Sequence, residues 1–168
     1  MRAVRSLTSE RSSGLFLGAS LIVIALAYAA CTTTKVVEAP ASAEMSRAVI
    51  DPYLKIAAAL ASDSMEGVTM NAGEIATAAS ALGALAFKID TAAAQLTGAG
   101  DLADARGKFG ALSEAIDSYM TNQHLSRPEG VRVAFCPMVM KPWLQKGDEL
   151  RNPYYGSQML TCGSFRNN

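Results

Sequence analysis

The chain has 168 residues, of which 50% are hydrophobic and 7% aromatic, and its 15 basic and 15 acidic residues give a formal net charge of zero. This balance lacks the basic excess of a nucleic-acid-binding domain, so we expect no nucleic-acid partner. The length suits one ordinary domain, and abundant alanine with few aromatic residues favours closely packed helices over a sheet.

The N-terminus has the layout of a bacterial export signal. Three arginines in the first eleven residues precede a largely apolar, uncharged run over residues 14–30, and small residues lead into Cys31. We predict a signal peptide of the lipoprotein type over residues 1–30, with lipid attachment at Cys31. Tyr28 departs from the leucine usual in lipoboxes, so ordinary cleavage at a small residue and a retained membrane anchor stay open as alternatives.

Residues 31–44 follow as a segment rich in Thr, Ala, Glu and Pro, without an apolar period. Such a composition predicts a flexible tether. A diacylated Cys31 would hold the rest of the chain, residues 45–168, at a membrane surface as one domain. We therefore expect an exported, periplasmic protein.

Two helices are predicted from the apolar spacing between residues 44 and 89. The first begins at Asp51 and Pro52, which suit the N-cap and first helical positions, unless residues 44–50 extend it upstream. The second opens at the capping-box pair Asp63 and Glu66 and continues to residue 89. A short turn is expected over residues 91–97.

A third helix is predicted from Asp101 to about His124. Its apolar residues recur in alternating steps of three and four, the strongest periodic signal in the chain. The period then changes to two over residues 131–135, which predicts a short strand. We expect a mainly α fold: an antiparallel bundle of three to four helices with a short strand and an irregular, turn-rich C-terminal cap over about residues 130–168.

Two sulfur-bearing segments lie in that cap: Cys136-Pro137-Met138 and Met159-Leu160-Thr161-Cys162. Thiolates and thioethers select soft ions, and Cu(I) is the first candidate. On an extended strand Cys136 and Met138 would point the same way, and one helical turn would do the same for Met159 and Cys162. We predict Cys136, Met138, Met159 and Cys162 as metal ligands, with Met140 and His124 as additional ones.

A disulfide is the main alternative use of the two cysteines. Exported compartments are oxidising, and a bridge between Cys136 and Cys162 would close a loop of about 26 residues and contribute ~3 kcal/mol. A structural zinc site fits less well, because only His124 could join the two cysteines. No phosphate-binding glycine loop or nucleophile elbow is present, so we do not expect an enzyme.

Several stretches of the domain carry a family resemblance. They are Tyr53-Leu54-Lys55-Ile56, Ala105-Arg106 with Phe109 and Leu112-Ser113, Cys136-Pro137-Met138, Trp143-Leu144, Asn152-Pro153-Tyr154-Tyr155-Gly156, Met159-Leu160 and Cys162-Gly163. Through them residues 46–165 resemble the bacterial periplasmic domain of unknown function 3347, which occurs as stand-alone lipoproteins and fused to adaptor subunits of heavy-metal efflux pumps. The stretch from Val139 to Pro142 departs from the small, glycine-containing sequence more usual there.

The resemblance implies an all-helical domain with a small C-terminal appendage, in a setting of copper or silver handling. It also implies that the four sulfur residues of the cap are shared family positions. Our expectation is a non-enzymatic envelope protein that captures Cu(I) or Ag(I) and passes it to an efflux pump adaptor or another metal carrier. The alternative is a structural or interaction module whose Cys136–Cys162 disulfide staples the cap.

Overall fold

Four α-helices precede a small sheet in the part of the chain that the computed structural model describes, residues 43–166. The helices are α1 (Arg47–Ala61), α2 (Val68–Ala81), α3 (Phe87–Thr97) and α4 (Leu102–Asn122), and the strands are β1 (Val131–Cys136), β2 (Lys141–Lys146) and β3 (Ser164–Phe165). With 54% of these residues helical, the prediction of a mainly α fold is confirmed. The predictions on residues 1–42, including lipidation of Cys31, lie outside the described residues.

Each helix packs against the next one along the chain, and the sheet packs on α4 and α1 through β2. Fully buried alanines at positions 72, 79 and 93 let the α2 and α3 backbones approach their neighbours closely. Larger side chains such as Ile56, Ile75 and Phe109 fill the space between helices and sheet. Between residues 43 and 166, no helix combines the length and apolarity needed to cross a membrane.

Helix α1 begins four residues before the predicted N-cap, Asp51. Its N-cap is Ser46, and Pro52 lies inside the helix. The upstream turn buries Val49 and Ile50 completely. Burial of these apolar side chains outweighs the one backbone hydrogen bond that Pro52 cannot donate. The alternative of an upstream extension is therefore the correct one.

The predicted second helix is in fact two helices. Helix α2 starts after Gly67, whose φ of 69° is left-handed, and Asp63 does not cap it. Gly83, with a φ of 86°, interrupts the helix, and the chain resumes as α3 over residues where a turn was expected. The capping-box prediction was wrong because Asp63 binds a distant arginine instead.

Helix α4 agrees with its prediction. The Asp101 carboxylate accepts a hydrogen bond from the Asp104 backbone N–H at 2.9 Å, as an N-cap should. The helix ends at Asn122, and His124 adopts a left-handed φ of 52° just beyond it. The apolar spacing found this helix because one side of it is buried along its length.

The cap contains more sheet than the sequence indicated. Strand β1 is confirmed, but it is the centre of an antiparallel sheet of order β2-β1-β3. Cys136 pairs with Lys141, and Ala134 pairs with Phe165. Strand β2 was not predicted because Pro142 and Gly147 indicated turns. Strand β3 was not predicted because two residues are too few to show an alternating apolar pattern.

Candidate functional site

Cys136, the last residue of β1, is fully buried at 0% exposure and belongs to the hydrophobic core. Its Sγ accepts a hydrogen bond from Asn152 Nδ2 at 3.2 Å. Hydrogen bonds of this kind, from an N–H group to a sulfur, also surround the cysteine ligands of metal sites.

Asn152 joins the two sulfur segments. Its Nδ2 also donates to the Cys162 carbonyl oxygen at 2.8 Å. Because one nitrogen bonds to both atoms, the Cys162 carbonyl oxygen and Cys136 Sγ lie close together. Its Oδ1 accepts from Tyr154 N–H at 2.8 Å, and its own N–H donates to Leu160 O at 2.7 Å. At 0% exposure, this amide has its hydrogen-bonding groups satisfied within the cap.

From the sequence, Asn152 was noted only within the turn-rich cap and within a stretch that carries the family resemblance. Its bond to Tyr154 N–H closes an Asx turn, which is a reason for Asn to precede a turn. The remaining partners lie 10 and 16 residues away along the chain. No local spacing signals such contacts, so the link became visible only in three dimensions.

Gly163 determines how closely Cys162 approaches the sheet. Its φ is 138°, and a Cβ there would lie 2.7 Å from the Trp143 ring and 2.8 Å from Phe135 O. A residue with a side chain would push this segment away from Trp143. Only glycine therefore lets the chain place Cys162 beside the end of β1.

A tight turn carries the second sulfur segment. Cys162 N–H donates to Met159 O at 3.0 Å, and both side chains are partly buried. Cys136 and Cys162 are both free thiols in this structure. Their disulfide therefore stays a prediction.

The two methionines near Cys136 are arranged differently from the prediction. Residues 137–140 form the turn between β1 and β2, so Met138 does not continue the strand of Cys136 and the expected shared strand face was wrong. Met138 is 59% exposed and Met140 is 68% exposed, the latter with a φ of 55°. Both thioethers belong to the tight turn that directly follows Cys136.

His124 lies in a different environment. It is exposed and lines a cleft of about 390 Å³ together with Met120, Arg127 and Arg166. Over residues 43–166, no three His, Cys, Asp or Glu side chains are grouped so that they could hold a metal ion. His124 therefore does not lie beside both cysteines, and a metal ion at the cysteines would be bound by sulfur ligands.

The cap is attached to the helices by hydrogen bonds to an ion pair between Arg106 and Asp63 that the sequence reading missed. Arg106 in α4 donates to Asp63 Oδ1 at 2.5 Å, to Leu60 O at 2.9 Å and to Pro153 O at 3.1 Å. Hydrogen bonds from Ser157 and Arg106 lower the pKa of Asp63 to about 2. The carboxylate therefore stays charged and holds the segment after Asn152 against α1 and α4.

Two buried tyrosines complete the attachment. Tyr53 Oη lies 2.7 Å from Ser113 Oγ and accepts from Leu144 N–H at 3.2 Å, and Tyr154 Oη donates to Pro142 O at 2.5 Å. Burial raises the pKa of both phenols well above the usual value, so both remain neutral. The sheet that carries Cys136 is thereby fixed to α1 and α4.

Comparisons of the chain with family models, with curated proteins and with solved structures give no match. The family resemblance over residues 46–165 therefore stays a prediction.

Proposed function

We propose that this chain is a non-enzymatic protein of the cell envelope that captures Cu(I) or Ag(I) through Cys136 and Cys162. The observation that carries the proposal is the Asn152 amide, which bonds both to Cys136 Sγ and to the Cys162 backbone. One buried donor thus contacts the thiol of Cys136 and the backbone of Cys162, and two free thiols on such linked segments support a soft-ligand pair for a soft monovalent ion.

The methionine thioethers are neutral ligands that differ in their exposure to solvent. Met159 lies one turn from Cys162 and is the proposed third ligand, while the exposed Met138 and Met140 are placed to meet an incoming ion. A neutral ligand leaves a cation at less electrostatic cost than a thiolate does, which favours transfer over permanent storage.

The cellular setting is part of the same proposal. Lipidation at Cys31 would keep the domain near an efflux pump adaptor or another envelope metal carrier in the periplasm. We further propose that the four helices form an antiparallel bundle, which the packing of each helix on its successor supports. The bundle then serves as a rigid base for the cap.

The test is a Cu(I) titration of the purified, reduced protein in which Cys31 is replaced by Ser, so that only two thiols remain. Competition against a chromogenic Cu(I) chelator under anaerobic conditions is expected to give one tightly bound ion per chain. Cys136→Ser and Cys162→Ser should each weaken binding at least about tenfold, because each removes one of two thiolates.

Met70 provides a matched control for adventitious thioether binding. It is 64% exposed on α2 and belongs to neither sulfur segment. Met70→Leu should leave the affinity unchanged, and Met159→Leu should lower it. Unchanged stoichiometry and affinity in both cysteine variants would refute the metal proposal.

A structural module remains the second candidate function. Cys136 is enclosed in the core beside the Cys162 segment, so a bond between the two would staple the cap without any metal. Mass spectrometry of protein isolated from copper-stressed cells with its thiols blocked at lysis separates the two. A quantitative Cys136–Cys162 disulfide favours the module, and free thiols favour the carrier.

A further inference from the structure

A cleft of about 600 Å³ lies where α1 meets the end of β2 and the segment that precedes Asn152. Its cationic residues are Arg47 and Lys55 from α1, Lys146 from the end of β2, and Arg151 from the segment that follows. A single carboxylate, Asp51, also lines it. Four cations thus face one acid in a chain whose formal net charge is zero.

Most of this positive charge is uncompensated. Arg47 pairs with Glu44 at 3.3 Å, but both side chains are about half exposed, so the pair screens little. Within residues 43–166, neither Lys55 nor Lys146 takes part in an ion pair. Like charges gathered in a concave site raise the local concentration of anions.

The walls of the cleft are held in place by hydrogen bonds. The bond from Leu144 N–H to Tyr53 Oη fixes β2 against α1. The Gln145 side chain donates to Glu149 O at 2.7 Å and accepts from Arg151 N–H at 3.1 Å, which closes the loop between Lys146 and Arg151. The Arg151 guanidinium donates to Ser62 Oγ at 3.2 Å at the end of α1. The backbone that carries these cationic side chains is therefore held in place before any ligand binds.

The cleft also has an apolar component. Leu54, Ala57 and Ala58 line it from α1, between the cationic positions. Residues 47, 51, 54, 55 and 58 recur at helical spacing, so a single side of α1 presents both charge and hydrocarbon. Such a surface suits an anion that carries an apolar group more than a bare inorganic ion.

We propose that this cleft binds an organic phosphate, with its phosphate oxygens held by Lys55, Lys146 and Arg151 and its apolar part against Leu54. Guanidinium groups match two phosphate oxygens at once, and lysines add point charges. A soluble phosphate ester and the headgroup of an anionic phospholipid share this chemistry. The inference stands on the cleft alone and does not need the metal proposal.

The test uses the full-length protein and two probes. Phenyl phosphate is titrated while the backbone amide signals are followed by NMR, and vesicles of phosphatidylglycerol are compared with vesicles of phosphatidylcholine in a sedimentation assay. At least one phosphate probe should bind, with signal changes concentrated at residues 54–58 and 145–151. The double variant Lys55→Glu/Lys146→Glu should weaken binding by about tenfold or more, because two charge-assisted contacts become repulsive.

Lys88→Glu is the matched control, since Lys88 is an exposed cation on α3 outside this cleft. It should leave binding unchanged. Binding of phenyl phosphate assigns a soluble ester, whereas binding of phosphatidylglycerol vesicles alone assigns a lipid headgroup. The proposal is overturned if neither probe binds, if the double variant binds as well as the parent, or if Lys88→Glu weakens binding as much as the double variant does.

Discussion

The helical layer and the C-terminal cap of this protein share one apolar core but differ in their directional contacts. The helices α1 to α4 pack through alanine, isoleucine and leucine side chains. The free energy gained by burying such side chains depends on the apolar area removed from water and not on the direction of a contact. The cap adds to this shared core a few directional bonds that involve Arg106, Asn152, Tyr53 and Tyr154. Apolar packing makes a stable base, and directional bonds place Cys136 and Cys162 with precision.

The largest expected effect comes from the helical side of this comparison. Ile75 is fully buried in α2, which packs between α1 and α3. Ile75→Ala should lower the free energy of unfolding by about 3 kcal/mol, since it removes transfer energy and leaves a cavity. Chemical denaturation followed by circular dichroism measures this loss. A loss below about 1 kcal/mol would mean that the packing around α2 is loose.

The next effect belongs to the cap. Asn152→Ala leaves the Cys162 carbonyl and the Tyr154 N–H without their partners and should cost about 2 kcal/mol. Trp143 is the only tryptophan of the chain and is buried in the sheet, so its fluorescence reports on the cap. The midpoint of the fluorescence transition should fall more than the midpoint of the helical circular dichroism signal.

Asn122→Ala, at the exposed end of α4, is the control for that experiment. It should leave both midpoints in place. If Asn152→Ala shifts the two signals equally, the cap and the helices unfold as one unit and the contrast between them concerns only the kind of contact.

The Asp63 carboxylate, which accepts hydrogen bonds from Arg106 of α4 and from Ser157 of the cap, predicts a response to acid. Hydrogen bonds from Ser157 and Arg106 lower the pKa of Asp63 to about 2 from an ordinary 3.8. Its contribution to stability is therefore complete above about pH 4 and is lost as the pH falls through about 2. Asp63→Asn should be less stable than the parent at neutral pH and should lose less between pH 4 and pH 2.

Denaturation midpoints at pH 7, 4, 3 and 2 measure this difference. Asp148→Asn changes a carboxylate whose side chain is 92% exposed and should leave stability at neutral pH unchanged. Parallel pH curves for the parent and Asp63→Asn would show that Asp63 does not attach the cap.

The same contrast explains what could be predicted from the sequence. The periodicity around Phe109 and Ile116 gave α4, and the alternation from Val131 gave β1, because burial follows these local periods. Gly83 divided a helix whose apolar pattern continued through it, and Asp63 resembled a cap although its partner Arg106 is 43 positions away. Sequence spacing therefore predicts which side of one helix or strand is buried, but it does not predict a bond between residues that are far apart in the chain.

The site was foreseen to the same degree. Both cysteines were singled out by residue type, and the structure places their segments on the shared side chain of Asn152. The hairpin that exposes Met138 was not foreseen, because a strand was extended through Pro137. Asn152 was missed because its role depends on contacts that close only after the tail folds back on β1.

The smallest predicted effect is a gain within the helical layer. Gly73 lies inside α2, and a Cβ at this position would meet no atom within 4 Å. Gly73→Ala should therefore raise the free energy of unfolding by about 0.5–1 kcal/mol, because alanine restricts the unfolded chain. Urea denaturation tests this, and a loss of stability would indicate that α2 does not tolerate the added methyl group.

We have proposed that Cys136 and Cys162 bind one soft ion together. The decisive experiment is X-ray absorption spectroscopy of the reduced protein with Cys31→Ser, loaded with one equivalent of Cu(I). We expect a first coordination shell of sulfur atoms only, which is lost from the spectrum of Cys136→Ser/Cys162→Ser. A first shell containing nitrogen or oxygen, or a spectrum that the double substitution does not alter, would contradict it.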